Sequence, residues 1–82
     1  MPELARDPRQ IGALIRRNRK QLGWSQRALG DRAGLRQETI SLIETGNPAA
    51  RLDTILTVLA ALDLELQVAR RSRRHDIDSL VD

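Results

Sequence analysis

Arg36, Gln37, Glu38, Ser41 and Leu42 fall on the outward side of one short helical stretch, and three of them carry groups that read base edges. A guanidinium suits guanine, an amide suits adenine, and a hydroxyl serves either. A polar, amide-bearing face on a short exposed helix is what a DNA major groove accepts. Other chemistry is poorly supplied. The chain has no Cys, and His75 is its only histidine. That leaves no thiolate metal site, no histidine triad and no disulfide staple. Neither a Gly-rich phosphate loop nor a carboxylate cluster with a plausible base is present. The expectation is a non-enzymatic chain without metal or cofactor.

The elements that must position this face are legible around it. Ser25 is a good N-cap for a helix from Gln26 to Ala33, and Gly34 supplies the left-handed residue that ends it. The next helix begins near Arg36 or Gln37 and ends at Gly46. Ala28, Leu29, Ala33, Leu35, Ile40 and Ile43 recur at helical spacing and point inward. Before them, Asp7, Pro8 and Gln10 form a helix start, with Pro at the first helical position. Ile11, Leu14, Ile15, Asn18 and Leu22 mark that helix's inner side, and Gly23 stops it. Trp24 is expected to plug the seam between the first two helices, rather than to intercalate into DNA. After the turn at Asn47 and Pro48, a further helix runs from about Leu52 to Leu62. Its predicted core residues are Leu52, Ile55, Leu56 and Leu59.

The stretch Ser25–Gly46 resembles the helix-turn-helix of the Xre/Cro family of bacterial and phage repressors. The matching residues are Arg19, Gly23, Ser25, Gln26, Leu29, Gly34, Ile40, Ser41, Glu44 and Gly46. Gly30 replaces the family's usual Ala, and either residue is expected to permit close helix crossing. Arg51 stands where the family has a Ser or Thr cap, with Asp53 offsetting the loss through the helix dipole. The resemblance spans about Pro8 to Leu62 and implies a compact, all-α, lambda-repressor-like domain of four helices. It also implies double-stranded operator DNA as the ligand.

On that basis Arg36, Gln37 and Ser41 are the candidate base contacts, with Arg36 equally able to grip phosphate. Gln26, Arg16, Arg19 and Thr39 are the candidate backbone contacts. Arg19 has an alternative, an internal pair with Glu44, and the family's reading of Glu44 is a helix-end carboxylate tied to backbone or arginine. Basic residues cluster at Arg16, Arg17, Arg19 and Lys20, and again at Arg70, Arg71, Arg73 and Arg74. Arginines also solvate outer helix faces, so the clusters alone decide nothing. Beside a helix-turn-helix they favour a polyanion, although the net charge is only +3. Trp24 as the lone aromatic argues against binding modes that stack single-stranded bases.

Past Leu62 the period changes. Leu64, Leu66 and Val68 alternate with Glu65, Gln67 and Ala69, the pattern of a half-buried strand. A continued helix or a tail is the alternative. A lone strand leaves both edges unsatisfied, and pairing it with a second copy gives a symmetric ribbon and a homodimer. Leu62, Leu64, Leu66 and Val68 are the expected dimerisation residues. Four helices and one such strand resemble the HipB-type antitoxins, as do Gly23–Gln26 and Arg36–Ser41. That resemblance implies a HipA-like serine/threonine kinase toxin as partner, with a stand-alone Xre-type regulator as the alternative.

The expected organisation is a flexible N-terminus over 1–7, the DNA-binding domain over 8–62, the dimerisation strand over 63–70 and a flexible tail over 71–82. The tail turns from basic to acidic, with Ile77, Leu80 and Val81 at helical spacing. It is either disordered throughout or orders on a partner protein. At 82 residues the chain is one small domain with tails, and such domains often need a partner. No apolar run approaches the ~20 residues of a membrane span, and no secretory signal opens the chain. These absences fit a bacterial cytoplasmic protein, nucleoid-associated when bound to DNA and without membrane partners.

Overall fold

The computed structural model describes residues 3–71. Four helices follow in order: α1 (Pro8–Gln21), α2 (Gln26–Ala33), α3 (Gln37–Glu44) and α4 (Leu52–Ala61). Local chemistry accounts for the starts of the first two. Asp7 accepts from the Gln10 N–H at 2.8 Å, and the Gln10 side chain in turn accepts from the Arg6 N–H. At α2, Ser25 Oγ accepts from the Ala28 N–H at 3.0 Å. Arg36 and Arg51 are the caps of α3 and α4, and neither offers a side-chain cap bond. At α4 the first turn is served by Asp53, which bonds the Thr54 N–H and pairs with Arg51.

All four helices end the same way. The N–H of Trp24 reaches back to Arg19, Leu35 to Gly30, Asn47 to Leu42 and Leu64 to Leu59, each spanning five residues. This closure needs a left-handed residue between. Gly23, Gly34 and Gly46 provide it three times, and Asp63 at φ 61° provides it the fourth.

The core gathers one stripe from each helix: Ile15 from α1, Leu29 from α2, Ile40 and Ile43 from α3, and Ile55, Val58 and Leu59 from α4, with Leu62 beyond. Trp24 packs against it as a seam plug, its ring face covered by the Arg32 guanidinium at 4.0 Å. The α1–α3 crossing depends on Gly12. A Cβ there would lie 2.4 Å from the Ile43 carbonyl oxygen, so the backbones meet with no room for a side chain. Gly30 is equally confined, since its Cβ would lie 2.6 Å from the Leu35 carbonyl oxygen. The expectation that Ala would serve as well there is therefore corrected.

Two further expectations change. Leu22, assigned to the inner side of α1, is exposed, while Gly12 and Arg19 are buried. On α4, Leu52 and Leu56 are exposed and Val58 takes the core position. The buried arc of α4 is set by Ile55, Val58, Leu59 and Leu62, which leaves Leu52 and Leu56 on an adjoining flank. Within the segment expected to be a flexible lead-in, Glu3 makes side-chain contacts to α1. Its carboxylate pairs with Arg17 and accepts from Asn18 Nδ2 at 3.0 Å.

Beyond α4, no strand forms among the described residues. A ladder needs a second extended backbone in hydrogen-bonding register, and no such pairing forms among the described residues. Leu64 tucks against the core, whereas Leu66 and Val68 stay exposed. The tail expected over 71–82 lies outside the described residues from position 72 onward.

Candidate nucleic-acid interface

Glu44, the last residue of α3, organises the site. It is 9% exposed, and Arg19 opposite it is 7% exposed. Arg19 Nε donates to Glu44 Oε2 at 2.6 Å and a second guanidinium nitrogen donates to Oε1 at 3.0 Å. The third guanidinium nitrogen donates to the Trp24 carbonyl at 2.7 Å. Gln26, first residue of α2, adds Nε2 to Glu44 Oε1 at 3.2 Å. One carboxylate thus ties α1, the α1–α2 turn and the start of α2 to the end of α3. The hydrogen bond from Arg19 to Glu44 raises the arginine's already high pKa against the opposing cost of burial. No buried side-chain nitrogen or oxygen among the described residues lacks a partner.

This network corrects the expectation that Arg19 faces DNA. Its guanidinium is fully engaged inside the protein, so the internal pair is the one formed. Gln26 is half-buried and its amide nitrogen is shared with Glu44, although the first N–H groups of α2 still lie ahead of the helical ladder.

The α1 cations divide. Arg19 goes inward and Arg17 pairs with Glu3. Arg16 and Lys20 are exposed and line an open depression with Ala13, Arg17 and Gln21, with Glu44 at its edge. On α3, Arg36, Gln37 and Glu38 are exposed, Ser41 and Thr39 are half-buried, and Leu42 is 53% exposed. Arg36 and Gln37 carry no side-chain bond among the described residues, so both heads are available to a ligand. Gln37 and Ser41, four apart, therefore lie on one row of α3, Arg36 stands at its N-terminal end as the cap, and Arg16 is on the neighbouring helix.

Two cations lie beyond the contacts expected from sequence. Sequence marks Lys20 only as part of a cluster, yet its spacing of four from Arg16 puts both on one flank. Arg27 is exposed in the first turn of α2, beside the helix's open N–H groups. The signal for it is that position next to a capping Ser25. No group of three or more potential metal ligands gathers among the described residues. None of the described helices is long and apolar enough to cross a membrane.

Residues 15–68 match the family model described as helix-turn-helix. Solved structures agree. A HipB variant in complex with an O2 20mer superposes with a TM-score of 0.81 at 26% identity, over 88% of this chain and 100% of that one. HipB in complex with an O4 20mer gives 0.80 at 27% identity, over 87% and 100%. A HipA–HipB–O2–O3 complex contains a chain matching at 0.78 and 29% identity, again over 87% and 100%. No curated protein sequence matches closely enough to count as a relative. The chain belongs to the helix-turn-helix family, as an Xre-type member similar in structure to HipB.

Proposed function

We propose that this protein is a non-enzymatic transcriptional repressor that binds a palindromic operator as a homodimer. We further propose that it acts as antitoxin to a HipA-like serine/threonine kinase and autoregulates the operon encoding both. The observation that carries the DNA reading is the exposed α3 face, held in register with the first turn of α2 by the Arg19–Glu44–Gln26 network. Base-reading groups and phosphate-facing N–H groups are thereby fixed relative to one another. Similarity to solved HipB structures, one of them a complex with HipA, supports the partner. In this reading Arg36, Gln37 and Ser41 meet bases, while Arg16, Gln26 and Thr39 face the backbone.

The dimer reading rests on surface that one chain leaves wet. Leu66 and Val68 are exposed beyond α4, and Leu52 and Leu56 are exposed on it. Pairing the segment from Leu64 to Val68 with its copy satisfies its backbone groups and covers apolar area. The two recognition helices then meet half-sites about 34–36 Å apart.

The deciding experiment is affinity purification of the tagged protein from its native cells, with sequencing of bound DNA and identification of bound protein. A two-fold symmetric site and a HipA-like kinase are the expected findings. A symmetric site recovered without any kinase makes the protein a stand-alone regulator. Sedimentation tests the ribbon: Leu66→Pro removes a ladder hydrogen bond and is expected to yield monomers with weakened operator binding. An intact dimer in that variant rejects the ribbon.

A further inference from the structure

The outward arc of α3 contains one side chain for which hydrogen bonding has no use. Among Arg36, Gln37, Glu38, Ser41 and Thr45 stands Leu42, 53% exposed. It is a large apolar side chain on a face otherwise built for hydrogen bonding. The major groove displays one apolar group, the C5-methyl of thymine. A leucine pressed against a phosphate strips water from an anion and returns no hydrogen bond, which is unfavourable. Glu38, four residues earlier on the same helical row, is exposed and adds a negative charge. That charge disfavours a phosphate beside this row.

We infer that Leu42 is a specificity-determining residue that reads a thymine methyl group in each half-site. The inference rests on the DNA-binding reading above and adds a base to it. Gln37 and Ser41 occupy the other flank of the face and discriminate by hydrogen bonds. Leu42 discriminates by apolar contact, so the two contributions are separable.

Selection of bound duplexes from a randomised library by the full chain supplies a site whatever the native operator is. Each thymine of that site is then replaced by deoxyuridine, which removes only the methyl. Wild-type protein is expected to lose about fourfold in affinity at one thymine per half-site, the worth of one methyl-sized apolar group. Leu42→Ala is expected to bind the thymine and deoxyuridine duplexes equally, and Gln37→Ala to keep the difference. Leu42 is exposed, and an unchanged thermal melt shows the variant folded. An enriched site at which every deoxyuridine is neutral, or at which Leu42→Ala keeps the loss, overturns the inference and leaves DNA binding intact. A library with no enriched sequence overturns the DNA reading and the methyl contact with it.

Discussion

At the C-terminal end of α3, Glu44 is enclosed and accepts hydrogen bonds from two other helices. At the N-terminal end, about two turns away, Arg36, Gln37 and Glu38 stand in solvent. The same eight-residue helix is thus a structural seam at one end and a ligand-facing surface at the other. Charge means different things at the two ends. In the seam a charge must be matched inside the protein, because leaving it unpaired there is costly. On the face an unmatched polar group costs nothing in water and is available for recognition. A substitution in the seam should therefore lower stability, whereas one on the face should change binding alone.

The largest effect is expected in the seam. Glu44→Ala leaves the Arg19 guanidinium buried without its carboxylate and releases Gln26. Removing one partner of a buried pair costs about 3–5 kcal/mol. A small domain has little more than that to lose, so the variant should be only marginally folded at ambient temperature. Denaturant titration of variant and wild type measures the difference. A loss below about 1 kcal/mol would place the pair in the class of surface ion pairs and erase the contrast between the two ends.

On the face, Gln37→Ala should leave the denaturant midpoint unchanged. It should cost roughly 1–3 kcal/mol for the selected DNA site and little for random duplex. Fluorescence anisotropy on both duplexes at one salt concentration separates these outcomes. Equal weakening on both would show that Gln37 holds backbone and reads no base.

The boundary between seam and face is only partly legible in the sequence. Most caps and stops are, because each depends on residues within five positions: Asp7 with Gln10, Ser25 with Ala28, Gly34 behind Ala33; the stop at Asp63 carries no such signal. The core of α3 follows from its spacing. Arg19 does not resolve, because an arginine in a basic cluster looks the same whether it meets phosphate or Glu44, 25 residues away. Resemblance to the Xre/Cro family offers the internal pair as one alternative, and burial decides it. Leu22, Leu52 and Leu56 mislead because helical spacing defines a stripe but not its edges. Gly30 misleads because a missing side chain does not announce what backbone approaches it.

Arg16 sharpens the comparison, since it lies three residues from Arg19 on the same helix and is exposed where Arg19 is buried. Arg16→Ala should leave stability unchanged. It should weaken selected and random DNA alike, and reduce the salt slope by about 0.9, the share of one phosphate contact. Titration at several salt concentrations gives the slope. An unchanged slope would remove Arg16 from the interface and leave Lys20 and Arg27 as the cations to test.

The smallest effect belongs to the N-terminal arm, where the seam's logic operates in solvent. Glu3 accepts from Asn18 and pairs with Arg17, and those hydrogen bonds, Asn18's first, hold its carboxyl below the usual glutamate range. A depressed folded-state pKa means the contact contributes fully above the ordinary glutamate pKa. It is lost as pH falls through the lower, folded value. Both side chains are substantially exposed, so the expected worth is that of a surface pair, about 0.2–1 kcal/mol. Glu3→Gln should remove that increment, which is present above the ordinary glutamate range and lost in acid, and leave the neutral-pH affinity for DNA unchanged. Thermal melts of both proteins across the acidic range measure it. The two curves should converge at the lowest pH, where the wild-type carboxyl is also neutral. A constant offset at every pH would mean that Glu3 acts through packing of the arm and not through its charge.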